Sequence, residues 1–186
     1  MKKDNNFHQS SAYIARKITD ILSEVDETII SQIINEFFDA HRIFVYGAGR
    51  SGLVARAFAI RLVHLGFQTF VIGETIGAPV KKDDLVFIVT GSGETIPAVM
   101  TAEIADKIGA KLVVVTSRAD SRIVKFADIS IILCADCKET ERKHLAPLGT
   151  LFEASAWLLL DAIVAGLMKQ TGETEKSMQA RHATLE

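Results

Sequence analysis

Two stretches decide the fold of this chain: Ile43-Phe44-Val45-Tyr46-Gly47-Ala48-Gly49-Arg50-Ser51-Gly52 and Leu85-Val86-Phe87-Ile88-Val89-Thr90-Gly91-Ser92-Gly93-Glu94-Thr95. Each is a continuous apolar run that breaks into a short loop of glycines and hydroxyl side chains and then continues as a helical pattern. A run that is apolar at every position, rather than at every second one, reads as a parallel strand covered on both faces. A glycine-rich turn between such a strand and a helix brings backbone N–H groups close to whatever the helix N-terminus faces.

The same alternation extends outward. Strands are predicted at 43–46, 68–72, 85–90, 111–116 and 129–133, with helices at 51–65, 95–108 and 151–169 and a short one at 120–127. Ahead of them, between Phe7 and Ala40, apolar residues from Ile14 to Phe38 recur at three- and four-residue steps. That is amphipathic helix, broken near Asp26, whose carboxylate can cap a second helix opening at Glu27. The expected architecture is α/β, a doubly wound parallel sheet flanked by helices in three layers, with an N-terminal helical segment over 1–40 and a tail over 172–186. The whole chain, 1–186, reads as one domain, and the segments 73–84 and 135–149 read as irregular.

Composition narrows the function classes. Of 186 residues 48% are hydrophobic, ample for one core, and 21 basic against 23 acidic side chains leave a formal charge of −2. That balance argues against a nucleic-acid partner, so an anionic ligand must be attracted locally. The polar start Met1-Lys2-Lys3-Asp4-Asn5-Asn6 lacks the apolar run of a secretory signal. The most apolar stretch, Ala154 to Met168, is interrupted by Asp161 and is shorter than a bilayer span. No membrane partner and a cytoplasmic location are therefore expected. Cys134 and Cys137 form a C-x-x-C pair at the end of a strand, with no second Cys/His pair to complete a zinc site, and read as reduced thiols.

The two loops together suggest one phosphate held between Gly49, Arg50 and Ser51 on one side and Ser92, Gly93 and Thr95 on the other. Two other readings stand beside it. Gly47, Gly49 and Gly52 satisfy the G-x-G-x-x-G pattern of a dinucleotide site, with Glu74 where a ribose-binding acid would sit. Thr95 can also serve simply as an N-cap ahead of Pro97. Arg50 can reach a phosphate or point to solvent.

The loops G-A-G-R-S and G-S-G-E-T, the later Pro147-Leu148-Gly149-Thr150-Leu151-Phe152-Glu153 and the terminal Arg181-His182-Ala183-Thr184-Leu185-Glu186 resemble the sugar isomerase (SIS) domain family over essentially the whole chain. Thr184 stands where the family's tail usually carries Asn. The resemblance implies a sugar-phosphate isomerase that interconverts D-arabino-3-hexulose 6-phosphate and fructose 6-phosphate in the ribulose monophosphate route of formaldehyde fixation. It implies no metal and no organic cofactor, a small-molecule sugar phosphate as partner, and a homo-oligomer, a tetramer with sites between subunits. An arabinose 5-phosphate isomerase, a non-catalytic sugar-phosphate-binding regulator and a dinucleotide-binding protein are the alternatives.

On that resemblance Glu153 is the catalytic base and His182 the second catalytic group, with the tail folded over a site. The residues alone leave both open. Thr150-Leu151-Phe152-Glu153 is also a capping box, in which Glu153 would bond back to the backbone, and His182 can lie in a frayed terminus. His64, near Gly66 at the end of a predicted helix, is a further candidate for proton transfer.

Overall fold

The computed structural model describes residues 6–184; the polar start and the terminal Leu185 and Glu186 lie outside them. Two helices come first, α1 (Asn6–Ser23) and α2 (Glu27–Asp39). They are separated where expected: the Asp26 carboxylate accepts the Thr28 backbone N–H at 2.7 Å and caps α2. The alternating part follows as β1 (Ile43–Gly47), α3 (Gly49–His64), β2 (Thr69–Val71), β3 (Leu85–Val89), α4 (Ile96–Ile108), β4 (Lys111–Thr116), a 3-10 turn (Arg122–Lys125) and β5 (Ile129–Ile132). Helices α5 (Glu139–Leu145), α6 (Thr150–Thr171) and α7 (Glu175–Ala180) complete the chain.

All four strand pairings are parallel, in the order β2-β1-β3-β4-β5. Successive strand residues feed two different cores. Ile43, Val45, Leu85, Phe87, Val113 and Val115 face α1, α2, α3 and α6, whereas Phe44, Val86, Ile88, Leu112 and Val114 face α4. Both faces being covered is why the central strands are apolar at nearly every position. On the first side Phe37, Phe58 and Phe87 form a ring cluster with centroids 5.2–5.8 Å apart. On the other, Ala98, Ala102 and Ala105 let α4 lie close on the sheet. The apolar α6, with mean hydropathy 1.7, is half buried and packs against α1, α2 and α3.

Three predicted boundaries move. The short helix expected at 120–127 contracts to one 3-10 turn, and two segments read as irregular contain helices α5 and α7.

The first and third glycines of the G-x-G-x-x-G pattern are required by packing. A Cβ on Gly52 would lie 2.7 Å from the Gly47 carbonyl oxygen, and one on Gly47 would lie 2.7 Å from the Ser51 carbonyl oxygen. Strand end and helix start therefore touch backbone to backbone. The middle glycine, Gly49, meets nothing and is needed for its φ of 59°.

At the opposite, amino-terminal edge of the sheet, the Arg42 guanidinium donates to both Asp84 carboxylate oxygens, at 3.0 and 2.7 Å, and to the Pro79 carbonyl at 3.0 Å. Asp84 also accepts the Lys81 N–H at 2.6 Å, which ties down the long β2–β3 connection. Burial alone would push the Asp84 carboxyl up, but Arg42 and the Lys81 N–H outweigh it and hold the group below its ordinary value.

Two outcomes are expected. Gly52→Ala lowers stability by about 1–3 kcal/mol, read by urea unfolding, because the added methyl must force α3 off β1. For Asp84, the depressed native value means that its contribution is complete above the unfolded value of about 3.9 and fades as pH falls through the lower native one. The stability gap between the wild-type chain and Asp84→Asn, followed by urea unfolding between pH 7 and 3, should narrow only at the acid end.

Candidate active site

In a doubly wound sheet the ligand crevice lies at the carboxyl ends of two neighbouring strands whose connections leave in opposite directions. Here that point falls between β1 and β3, paired so that Gly47 lies opposite Val89. From β1 the chain runs outward through α3 to β2, and from β3 it runs the other way through α4 to β4. The loops 48–52 and 90–95 thus leave the sheet side by side.

The second loop is fastened on its outer flank. The Gly91 carbonyl accepts the Ser117 N–H at 3.0 Å, the Ser117 hydroxyl at 2.7 Å and the Thr116 hydroxyl at 3.2 Å. Gly93, at φ 64°, packs so closely that a Cβ would lie 2.2 Å from the Ser121 Oγ. Glu94 turns away and receives the Arg122 N–H at 2.9 Å and its guanidinium Nε at 2.7 Å; these two donors hold its carboxyl below the usual range. Glu94 is thereby a brace for the loop. Ser92 and Thr95 face one another, Oγ to Oγ1 3.5 Å, at the start of α4. Thr95 occupies the N-cap position, yet its side chain makes no capping bond. In the first loop Ser51 is buried at the opening of α3, with Arg50 beside it.

Helix α6 begins over both loops. Phe152 packs on Gly91, where a Cβ would meet its ring at 3.2 Å, and the next residue, Glu153, accepts a hydrogen bond from Arg50 Nε at 2.5 Å. The capping-box geometry is not formed. Gly149 is the N-cap, the Thr150 hydroxyl donates to the Pro147 carbonyl at 2.6 Å, and the Glu153 carboxylate is directed to the first loop. Just ahead, Leu148 adopts φ 56° and its carbonyl accepts from Arg142 at 2.9 Å. A cleft of about 650 Å³ runs from Ser92 past Ser117, Arg118 and Arg142 to Gly149 and Phe152. A second of about 420 Å³ lies between Arg50, Thr150, Glu153 and Trp157. The first loop, the second loop and Glu153 therefore meet at one place. A smaller, apolar cavity of about 270 Å³ lies between α4 and the 72–80 segment, and its lining, from Phe44 to Ile108, offers little polar chemistry.

His182 is elsewhere. Its ring stacks on that of buried His64, centroids 4.7 Å apart, and both border a cleft with Arg61, Trp157 and Asp161. Asp161 is eight residues beyond Glu153, about 12 Å along the axis of α6, and His64 is fourteen beyond Arg50, about 21 Å along α3. Within one chain the fold bonds Glu153 to Arg50 and sets Ser51 and the Ser92-Gly93-Glu94-Thr95 turn at neighbouring strand ends, while His64 and His182 stack on each other farther along α3 and α6. Glu74 pairs with Arg56 instead of standing open for a ribose. Cys134 and Cys137 are free thiols in the segment after β5 that forms one wall of the larger cleft. No cluster of three or more metal-ligating side chains occurs among the described residues. The cleft residues Ser117, Arg118 and Arg142 escaped sequence reading; only the position of the first two, at the end of β4 one strand from the second loop, could have singled them out.

The family model described as the SIS domain matches residues 36–152. An uncharacterized protein of Archaeoglobus fulgidus is 41% identical over 176 residues, covering 93% of this chain and 96% of that protein. A Bacillus subtilis (strain 168) protein named 3-hexulose-6-phosphate isomerase is 36% identical over 185 residues, covering 98% of this chain and 94% of that protein. Among solved structures, a Methanococcus jannaschii protein superposes with a TM-score of 0.84 at 32% identity, covering 93% of this chain and 97% of that one. Its description states that the structure infers a molecular function of 3-hexulose-6-phosphate isomerase.

The bond from Arg50 to Glu153 joins a mostly exposed guanidinium to a carboxylate that caps nothing. Glu153→Gln should therefore change stability by no more than about 1 kcal/mol. A larger loss on thermal unfolding would restore a structural role for Glu153.

Proposed function

Because the chain belongs to the SIS domain family and is a sugar-phosphate isomerase, we propose that it interconverts D-arabino-3-hexulose 6-phosphate and fructose 6-phosphate. The observation that carries this reading is the position of the Glu153 carboxylate, bonded to the first loop through Arg50 and joined to the second through its neighbour Phe152. A phosphate taken by Ser51, Ser92, Thr95 and the N–H groups opening α3 and α4 leaves the sugar's carbonyl end toward α6. Helix N-termini and neutral hydroxyls suit a dianion in a chain with no basic face.

The chemistry follows from the substrate. Glu153 removes the proton from C2, next to the C3 carbonyl, and the electron pair forms the C2–C3 double bond of an enediolate. The same proton is returned to C3 while the O2 hydroxyl proton passes to O3, leaving the carbonyl at C2. Oxidation of C2 and reduction of C3 cancel within the molecule, so no outside electron acceptor enters. A carboxylate performing both carbon transfers contributes about 10²–10⁴-fold. His182 carries the proton between the two oxygens. The separation of His182 from Glu153 within one chain favours a homo-oligomer in which His182 serves a neighbouring copy's site; the family resemblance implies a tetramer. Trp157 borders both the Glu153 cleft and the His182 cleft, and Leu53, Ile60, Val63 and Leu158 are exposed on the same two helices. A twofold axis near the middle of that apolar face would bring the ends of two copies together. In the cell the reaction belongs to the ribulose monophosphate route of formaldehyde fixation, in the cytoplasm. The pairing of Glu74 with Arg56 weighs against a dinucleotide, and packing accounts for Gly47 and Gly52 without one.

Glu153→Gln should still bind fructose 6-phosphate, shown by a thermal shift, while turnover falls by about 10²–10⁴-fold. Undiminished turnover would remove Glu153 as the base. Ser51→Ala and Ser92→Ala should each raise KM by an amount equivalent to about 0.5–3 kcal/mol, with kcat little changed. Faster turnover of arabinose 5-phosphate than of fructose 6-phosphate by the wild-type chain would reassign the substrate.

A further inference from the structure

After α6 the chain turns at Gly172, with φ 71°, passes Glu173 and enters α7 through a capping box between Thr174 and Ser177. Helix α7 is six residues long and buries only Met178 among its side chains. What holds its far end is Arg181. One face of its guanidinium makes a two-point contact with Glu173, at 2.9 and 2.7 Å, and Nη1 also donates to the His64 carbonyl at 3.0 Å. The Ser177 hydroxyl donates to the same Glu173 carboxylate. The guanidinium lies over Gly66, where even a Cβ would come within 3.5 Å of Cζ and where φ is 92°. The residue after Arg181 is His182, its N–H on the Gln179 carbonyl at 3.1 Å and its ring on His64.

We infer that Arg181 and Glu173 form a latch that fixes the position of the His182 imidazole by tying the tail to the last turn of α3. This rests on the reading of His182 as a proton carrier. Arg181 and Glu173 are positioning residues; neither touches the reacting atoms. The arrangement fits geometry better than bulk stability. Arg181 is 39% exposed, and a partly exposed ion pair adds little to the stability of the whole. Yet the planar fork engages two partners on different elements at once, the Glu173 carboxylate beyond α6 and the His64 carbonyl in the last turn of α3. A lysine ammonium at the same place is a single point charge and cannot reproduce that fork. With Arg181 held on both sides, the backbone leading into His182 has little freedom, and its ring is kept against His64. Glu173 stays charged throughout the working range, since Arg181 first and Ser177 second bring its carboxyl down to about 2.

The test uses the full chain and five variants, Arg181→Gln, Arg181→Lys, Glu173→Gln, the Arg181→Gln/Glu173→Gln double variant and His182→Ala, with kcat and KM measured on each and the His182 ring resonances on those that keep His182. Arg181→Gln and Glu173→Gln should each lower kcat by about 10²-fold with KM unchanged, as misplacement of a reacting group by an ångström does. Combining them should cost no more than Arg181→Gln alone, because they act as one unit. Arg181→Lys should restore little. In all three the His182 signals should lose the ring-current shift that stacking on His64 produces. Wild-type kcat in Arg181→Gln and Glu173→Gln beside an inactive His182→Ala would overturn the latch. If His182→Ala itself keeps full kcat, the proton-carrier reading fails, and the resonances then judge the latch separately: a retained shift in Arg181→Gln overturns it, and loss of the shift upholds it.

Discussion

The parallel pairing of β1 with β3 is the constraint on which the rest of the molecule depends. It sets two strand ends side by side, Gly47 opposite Val89, at the one place where the connections depart in opposite directions. Neither α3 nor α4 covers the sheet edge there, because they have left on opposite faces. Their N-termini remain, and with them unpaired N–H groups and the hydroxyls of Ser51, Ser92 and Thr95. The proposed anion site is thus a product of topology before any particular side chain is chosen. The side chains then set how near the backbone can come. Gly47 and Gly52 let α3 seat directly on the strand end, and Gly93 lets the second loop press against Ser121.

Helix α6 supplies what the sheet cannot. It is a core helix along one face and carries a carboxylate at its N-terminal end. Gly149, rather than Thr150, caps it, so the Glu153 side chain is not spent on its own backbone and bonds Arg50. The strained Leu148, held through its carbonyl by Arg142, fixes where that helix starts. Short-range backbone geometry over 147–150 therefore determines what a side chain at 153 can face.

The fold was largely legible because its signals are local. Parallel strands buried on both faces need apolar residues at successive positions, and the runs within 43–46, 85–90 and 111–116 show that pattern without help from distant contacts. Asp26 announced its helix because a side-chain cap is a two-residue event. The misreadings have equally local causes. Helix α5, Glu139-Thr140-Glu141-Arg142-Lys143-His144-Leu145, buries none of its residues and so shows no apolar period; its signal was acidic residues in the first turn and basic ones in the last. Helix α7 is too short for periodicity, though Thr174 and Ser177 stand at capping-box spacing. At 153 the same spacing misled, since Thr150 and Glu153 match a capping box as written. Which partner the carboxylate takes depends on Arg50, a hundred and three residues away, and no local pattern encodes that.

The distribution of polar groups along α3 and α6 bears on how such a chain can work. Both helices carry polar clusters at two places: Arg50 and Glu153 at one, His64 and the Asp161 neighbourhood at the other. Exposed Leu53, Ile60, Val63, Trp157 and Leu158 lie between. A monomer gains nothing from leaving large apolar side chains in water between two polar clusters. Two antiparallel copies of that surface do gain, because covering the apolar middle necessarily lays each copy's histidine end beside the other's glutamate end. The tail then has a reason to be held rigidly. On the proposed assembly, a histidine offered across a subunit boundary would be positioned from behind, by Arg181, Glu173 and the end of α3.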